Sequence, residues 1–209
     1  MTPNRQTLKR IMEAAIFSAG RPLSLEAIGE LFYEDERPSN EVLRELLAEL
    51  HEEYSRRGVF LKEVASGYRF QADAELGEWV TRLWEEKPQR YSRALLETLS
   101  LIAYRQPITR GEIEDIRGVS VSSQIIKTLL EREWVKVLGH REVPGRPAMY
   151  GTTRTFLDYF NLRSLAELPT LAEVRDLDKI GAELDARLRR QQDEVQTSLP
   201  LEVAVEVED

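Results

Sequence analysis

Residues Ile11–Leu31 read IMEAAIFSAGRPLSLEAIGEL, and residues Leu96–Ile116 read LETLSLIAYRQPITRGEIEDI. Superposing Pro22 on Pro107 sets Ile11 on Leu96, Phe17 on Ile102, Leu23 on Ile108, Ser24 on Thr109, Ile28 on Ile113 and Leu31 on Ile116. Each stretch reads as an apolar helix, a corner marked by proline, a hydroxyl residue placed to cap, and a second helix. One supersecondary unit occurring twice predicts two similar domains in tandem.

Outward from the first copy, Leu8, Ile11, Met12, Ala15, Ile16 and Ala19 recur at helical spacing and form one apolar face. Gly20 and Pro22 end that helix, and Ser24 predicts the cap of another reaching about Phe32. The polar stretch 34–40 reads as a loop. A third helix is expected over about Asn40–Arg56, with Val42, Leu43, Leu46, Leu47 and Leu50 inward. VFLKEVASGYRFQA, residues 59–72, reads as a strand, a turn at Ser66-Gly67 and a returning strand. Three helices followed by a hairpin is the order of a winged helix. Glu75–Trp84 predicts a further helix packing Leu76, Val80 and Leu83.

The second copy follows a short linker at Pro88–Tyr91. Leu95, Leu96, Leu99, Ile102 and Ala103 give its first apolar face, and Thr109 with Glu112 three residues on predicts a capping box. Ser120 or Ser122 opens a third helix with Ile125, Ile126, Leu129 and Leu130 inward. WVKVLG and REVPGRPAMYGTT supply the hairpin, and Phe156, Leu157, Phe160, Leu162 and Leu165 a closing apolar segment. The expected fold is α+β and mainly helical: winged-helix domains at 5–86 and 90–165, an extension at 166–192 with a helix near Leu177–Gln192, and an acidic tail at 193–209 expected to be disordered.

The chain carries 29 basic and 37 acidic side chains, a net charge of −8. The imbalance is uneven: residues 1–87 sum to −5, residues 88–165 to +4 and residues 166–209 to −7. Only the second copy is suited by charge to an acidic partner. With no cysteine, disulfides, thiol nucleophiles and thiolate metal sites are excluded together. No apolar run approaches the ~20 residues of a membrane span, and no secretory signal is read at the start, so a cytoplasmic protein is expected.

No motif argues for catalysis. Gly139, Gly145 and Gly151 lack the spacing of a phosphate loop, and two histidines, His51 and His140, leave a metal site to carboxylates alone. No cofactor and no catalytic or metal residue is expected. Gly145-Arg146-Pro147 reads as a wing turn, and equally as a rigid mount for an arginine able to make planar contacts with a carboxylate or phosphate. A winged helix reading DNA would use its third helix. In the first copy that helix carries Glu41, Glu45, Glu49, Glu52 and Glu53, which phosphates repel. In the second, Lys127 and Arg132 are balanced by Glu131 and Glu133. The charge pattern therefore favours protein docking, with a winged-helix DNA-binding transcriptional regulator as the alternative.

LETLSLIAYRQPITRGEIEDIRGVS, GRPAMYGTT and FLDYFNLRSLAELPTL closely resemble the segregation and condensation protein B family over roughly residues 94–175. The first copy fits more loosely, and residues beyond about 176 are uninformative. The resemblance implies two tandem winged-helix domains, no enzyme activity, a homodimer through the first domain, and binding through the second to the kleisin, segregation and condensation protein A. The kleisin links the heads of an SMC ATPase, so the expected role is a nucleoid-associated scaffold in chromosome condensation and segregation, with DNA contact weak and non-specific at most. The positions carried over as a partner surface are Tyr104, Arg105, Gln106, Arg146 and Tyr150; Tyr104 and Tyr150 also fit core packing.

Overall fold

The computed structural model describes residues 3–83 and 91–170. Met1–Glu167 form one compact unit and Leu168–Asp209 a second, of which only 168–170 are described. The expected linker at 88–90, Trp84, the helix at Leu177–Gln192 and the tail at 193–209 lie outside the described residues.

The first copy contains α1 (Arg5–Ser18), α2 (Leu25–Gly29), α3 (Asn40–Tyr54), β1 (Val59–Val64) and β2 (Gly67–Ala72). Asn4, Ser24 and Ser39 cap the three helices by accepting from backbone N–H groups of the first turn. Met12, Ile28, Leu43, Leu46 and Leu50 are fully buried, and Leu61 of β1 joins their cluster. Across the solvent face, Arg5 bonds Glu45 at 3.0 Å and Glu49 at 2.6 Å, while Lys9 reaches Glu49 and Glu53. The acidic face of α3 is thus partly neutralised by α1. The Arg5 pairs are exposed and Lys9 lays its stem along the seam, so the apolar contacts carry the packing.

The second copy repeats the order. It comprises α5 (Arg93–Arg105), β3 (Ile108–Thr109), α6 (Arg110–Arg117), α7 (Ser123–Glu131), β4 (Val135–His140) and β5 (Ala148–Thr152), with α4 (Gly77–Val80) between the copies and α8 (Arg154–Tyr159) after. Thr109 and Glu112 form the expected capping box, and Ser122 caps α7. Strand order is β3-β5-β4, all antiparallel. Mixed helices and small sheets make the chain α+β.

The corner of each copy is the shared device. Leu23 exchanges both backbone hydrogen bonds with Tyr68 of β2, at 2.9 and 2.8 Å. Ile108 sits opposite Tyr150 of β5 in the same way. The Pro22-on-Pro107 superposition holds from here onward: Leu23 and Ile108 are buried, Ser24 and Thr109 both cap, and Ile28 and Ile113 are both fully buried.

Before the corner it fails. Phe17 is 73% exposed, whereas Ile102 is fully buried. Helix α1 buries Leu8, Met12 and Ile16; α5 buries Leu95, Leu99 and Ala103 at the same four-residue steps. The helices therefore match two residues out of the proline register, which sets Ile11 on Thr98 and Phe17 on Tyr104. The first corner is two residues longer, and its Gly20 is left-handed at φ 64°. A repeat anchored on proline cannot see an insertion whose helix still presents apolar residues at nearby spacing.

Other expectations shift as well. Helix α2 stops at Gly29 rather than Phe32, although Phe32 remains buried. The hairpin turn is Ala65-Ser66, and Gly67 already belongs to β2 opposite Val64. The segment after β2 is a broken series of short helical turns whose Leu76, Trp79 and Leu83 are exposed, not packed. Leu130 is part-exposed rather than inward, and in the closing apolar segment Phe156 is buried while Phe160 and Leu165 are part-exposed.

Gly67 fixes the first corner. Its φ is 132°, and a Cβ there would lie 2.0 Å from the Leu23 carbonyl oxygen. Gly67→Ala should therefore break the Leu23–Tyr68 pairing and destabilise the chain by on the order of 2–3 kcal/mol. A denaturant titration showing an unchanged midpoint would contradict this account.

Candidate partner-binding surface

Helix α5 ends where three of the sequence-selected residues stand. Tyr104 is half-buried, Arg105 is exposed, and Gln106 is the C-cap, its N–H donating to Ile102 O at 3.0 Å. The Gln106–Pro107 peptide is cis. The Gln106 side chain turns onto β5. Its Oε1 accepts from the Thr152 N–H at 2.8 Å, and its Nε2 donates to Thr152 Oγ1 at 3.0 Å and to Ala103 O at 3.2 Å. The amide is spent on joining the helix end to the strand.

Tyr150 lies two residues before Thr152, between Ile108 and Val137 across the sheet. The structure thus brings Tyr104, Arg105, Gln106 and Tyr150 to one corner. Arg146 is elsewhere, in the wing that joins β4 to β5. Gly145 and Arg146 are both left-handed, at φ 85° and 39°, and the Arg146 N–H donates to Val143 O at 2.9 Å. A left-handed arginine costs about 1 kcal/mol relative to glycine, so its side chain is held outward against a backbone preference. Arg105 and Arg146 make no ion pair among the described residues.

Two contacts that sequence reasoning did not pair give this surface its shape. Arg141 bonds Glu112 at 2.8 Å, tying the wing to the capping box of α6. The backbone N–H of Thr109, then the Thr109 hydroxyl and Arg141, hold the Glu112 carboxyl below the usual carboxylate range. Gly151 is the second: a Cβ there would lie 2.6 Å from Leu138 Cδ1 and 2.7 Å from Gln106 Oε1. Glycine lets Leu138 and Gln106 meet over the sheet. The capping pattern made Glu112 findable; nothing local in the sequence pairs Gln106 with a residue 46 positions away.

The wing of the first copy is pinned differently. Asp158 Oδ1 accepts from the Ser66 N–H at 2.9 Å, Leu162 O accepts from the Ala65 N–H at 3.0 Å, and Arg69 donates to Asp158 O and Asn161 Oδ1. The chain after α8 therefore lies along the tip of the β1–β2 hairpin.

Among the described residues no group of three or more His, Asp or Glu could hold a metal ion, and no helix is long and apolar enough to cross a membrane. His51 is occupied at Nδ1 by Leu61 O, 3.0 Å away.

The described chain is thus two copies of a helix–hairpin module, with Arg105 and Arg146 exposed on the second. Residues 10–171 match the model of the segregation and condensation complex subunit ScpB. The chain is 59% identical to a segregation and condensation protein B homolog of Coxiella burnetii over 86% of each chain. It is 47% identical to segregation and condensation protein B of Syntrophotalea carbinolica, over 82% of this chain and 86% of that one. A solved ScpB from Mycobacterium tuberculosis is 28% identical, covers 78% of this chain and 99% of its own, and superposes with a TM-score of 0.37. The chain belongs to the ScpB family of segregation and condensation complex subunits.

Two variants probe the surface. Gln106→Ala leaves the Thr152 N–H without its acceptor and should cost about 1–2 kcal/mol in denaturant melts. Glu112 titrates lower in the folded chain than in the unfolded one. Its contribution is therefore present above the ordinary carboxylate range and lost as pH falls through the depressed value. Glu112→Gln should flatten the loss of stability on acidification below about pH 4.5; an identical acid profile would refute the assignment.

Proposed function

We propose that this chain is a non-enzymatic scaffold built of two winged-helix domains, about residues 5–86 and 90–165. It dimerises through the first and binds the kleisin subunit of an SMC complex through the second. Family membership over residues 10–171 carries the reading. The helix–helix–helix–hairpin order with a corner strand in each copy supports the winged-helix assignment. It would act in the cytoplasm, at the nucleoid, in chromosome condensation and segregation, and meet the SMC ATPase only through the kleisin. Residues 166–209 are then an extension and tail outside both domains.

The division of labour rests on surface. The first copy leaves Phe17, Trp79 and Leu83 at 73%, 59% and 78% exposed, more apolar surface than a lone acidic module needs to show water. A dimer would bury it and present two second domains to one kleisin chain, raising the effective concentration of the second contact. In the second domain, Arg105 and Arg146 make no ion pair among the described residues and offer their guanidiniums to acidic side chains, while Tyr104, Gln106 and Tyr150 form the corner at which Arg105 stands.

The third helices offer no comparable case for DNA. Lys127 is paired with Glu131 at 3.6 Å on α7, and the Glu41–Glu53 face of α3 is acidic. A transcriptional regulator is unsupported on both counts.

Co-purification with the kleisin tests the whole reading. Arg105→Glu with Arg146→Glu should lower recovery at least tenfold while leaving the thermal midpoint within about 2 °C, since both side chains are exposed. In sedimentation equilibrium on the full chain, Phe17→Glu with Trp79→Glu should convert dimer to monomer. A wild-type chain that stays monomeric at tens of micromolar would sink the dimer.

A further inference from the structure

We infer that the outer edge of β4, at Val137 and Leu138, is a strand-addition site for an extended partner segment in which apolar and acidic side chains alternate. The inference rests on the reading of the second copy as the partner-binding half, and adds how and by what chemistry that half takes its partner.

Strand β4 is an edge: in the order β3-β5-β4 it pairs only with β5. The direction of its backbone groups follows from its neighbours. Residues directly opposite in an antiparallel pair alternate between bonding each other and pointing away. The Thr152 N–H is given to Gln106, on the side of β5 away from β4. Tyr150, two residues earlier, points the same way, toward Ile108. Val137, opposite Tyr150, is therefore in a pair that points apart, and its N–H and C=O face outward. Beside it the register slips between Val137 and Gly139, leaving Leu138 as an unpaired bulge residue.

The side chains here are unusual for an edge. Val137 and Leu138 are 45% and 48% exposed in succession, so neither face of this strand segment is polar. Edge strands are ordinarily blunted by charge or proline, because an open apolar edge invites pairing.

The first copy shows what closes the same position. Tyr68 corresponds to Tyr150, so β1 corresponds to β4, and Glu63 to Val137. There the edge is covered from within the chain. His51 takes the Leu61 carbonyl, Leu162 accepts from the Ala65 N–H, and Arg163 pairs with Glu63 at 3.7 Å. A backbone carbonyl, an apolar residue and a charge opposite to Glu63 thus meet this edge. The second copy has no such cover among the described residues. Its strand carries Lys136 and His140, both exposed, within a half of net charge +4. Where β1 sets Glu63 against Arg163, β4 has the apolar Val137, and the exposed Lys136 beside it in a half of net charge +4 favours acidic residues between apolar ones.

A usable probe is the synthetic peptide of residues 199–209, LPLEVAVEVED, whose Leu201–Glu208 stretch alternates in this manner. With the full-length protein, fluorescence anisotropy should report saturable binding, and hydrogen exchange should slow at residues 135–140. Val137→Pro removes one outward N–H that the β5 ladder does not use, so it should weaken binding at least tenfold with the melt little changed. Lys136→Glu, which leaves the backbone intact, should weaken it several-fold. Binding that survives both variants, or protection that falls elsewhere, overturns the proposal. Tighter peptide binding by a full chain carrying Val205→Pro would assign the edge to the chain's own terminus, and self-association abolished by Val137→Pro would assign it to a second copy; either overturns the partner assignment. Kleisin recovery retained by Val137→Pro together with unprotected 135–140 amides would leave the scaffold reading standing and this one not. Recovery absent from wild type while the peptide still binds would do the reverse.

Discussion

Two pairs of backbone hydrogen bonds, Leu23 with Tyr68 and the matching contact of Ile108 with Tyr150, hold each half of this protein together. Each joins a residue in the corner between two short helices to the last strand of a distant hairpin. Without that joint the hairpin is a two-stranded ribbon, which is marginal alone in water. With it, the helices and the hairpin close over one core, and Leu61 in the first half and Val135 in the second can bury against helix side chains. The requirement is steric as well as polar. The Leu23 backbone crosses so close over Gly67 that no side chain fits there, and in the second half Gly151 yields the same kind of space to Gln106 and Leu138.

The joint explains which parts of the chain were readable. Caps at Ser24 and Thr109 depend on residues three positions apart, and both lie where the hydroxyl pattern placed them. Buried positions in α3 and α7 follow a helical period set by neighbours, apart from Leu130. The corner superposition held from proline onward because Leu23 and Ile108 have the same pairing duty. It failed upstream because the first corner carries two more residues, and helices tolerate that slip by rotating a different apolar set inward. Of the surface residues, Arg146 was legible as a charge presented on a turn, and Arg105 as a family position. Gln106 was legible only as a family position; its bond to Thr152 belongs to the tertiary fold. Leu76 and Leu83 are exposed where packing is expected, since an apolar residue in a short helix looks the same in sequence whether it faces a core or solvent.

Similar cores have been given opposite boundary conditions. In the first half, the free edge of the hairpin is met by His51 and by the chain leaving α8, whose Asp158 and Leu162 accept from Ser66 and Ala65. Those contacts satisfy outward backbone groups that would otherwise recruit another chain. The first half's exposed apolar residues lie on α1, after α2 and beyond β2, with Phe17 against Phe70 of β2.

The second half differs at its strands. Trp134 is buried against Tyr91, Tyr159 and Phe160, Leu96 and Ile116 stay exposed on its helices, and among the described residues nothing covers the apolar edge at Val137 and Leu138. A module can meet a partner by a helix face or by a strand edge, and the two differ in what they recognise. A helix face selects side-chain shape. A strand edge selects extended conformation first and side chains second, which suits a linker segment with no fold of its own. The two halves therefore differ in more than charge: among the described residues, the strand edge of the first hairpin is covered from within the chain and that of the second is not.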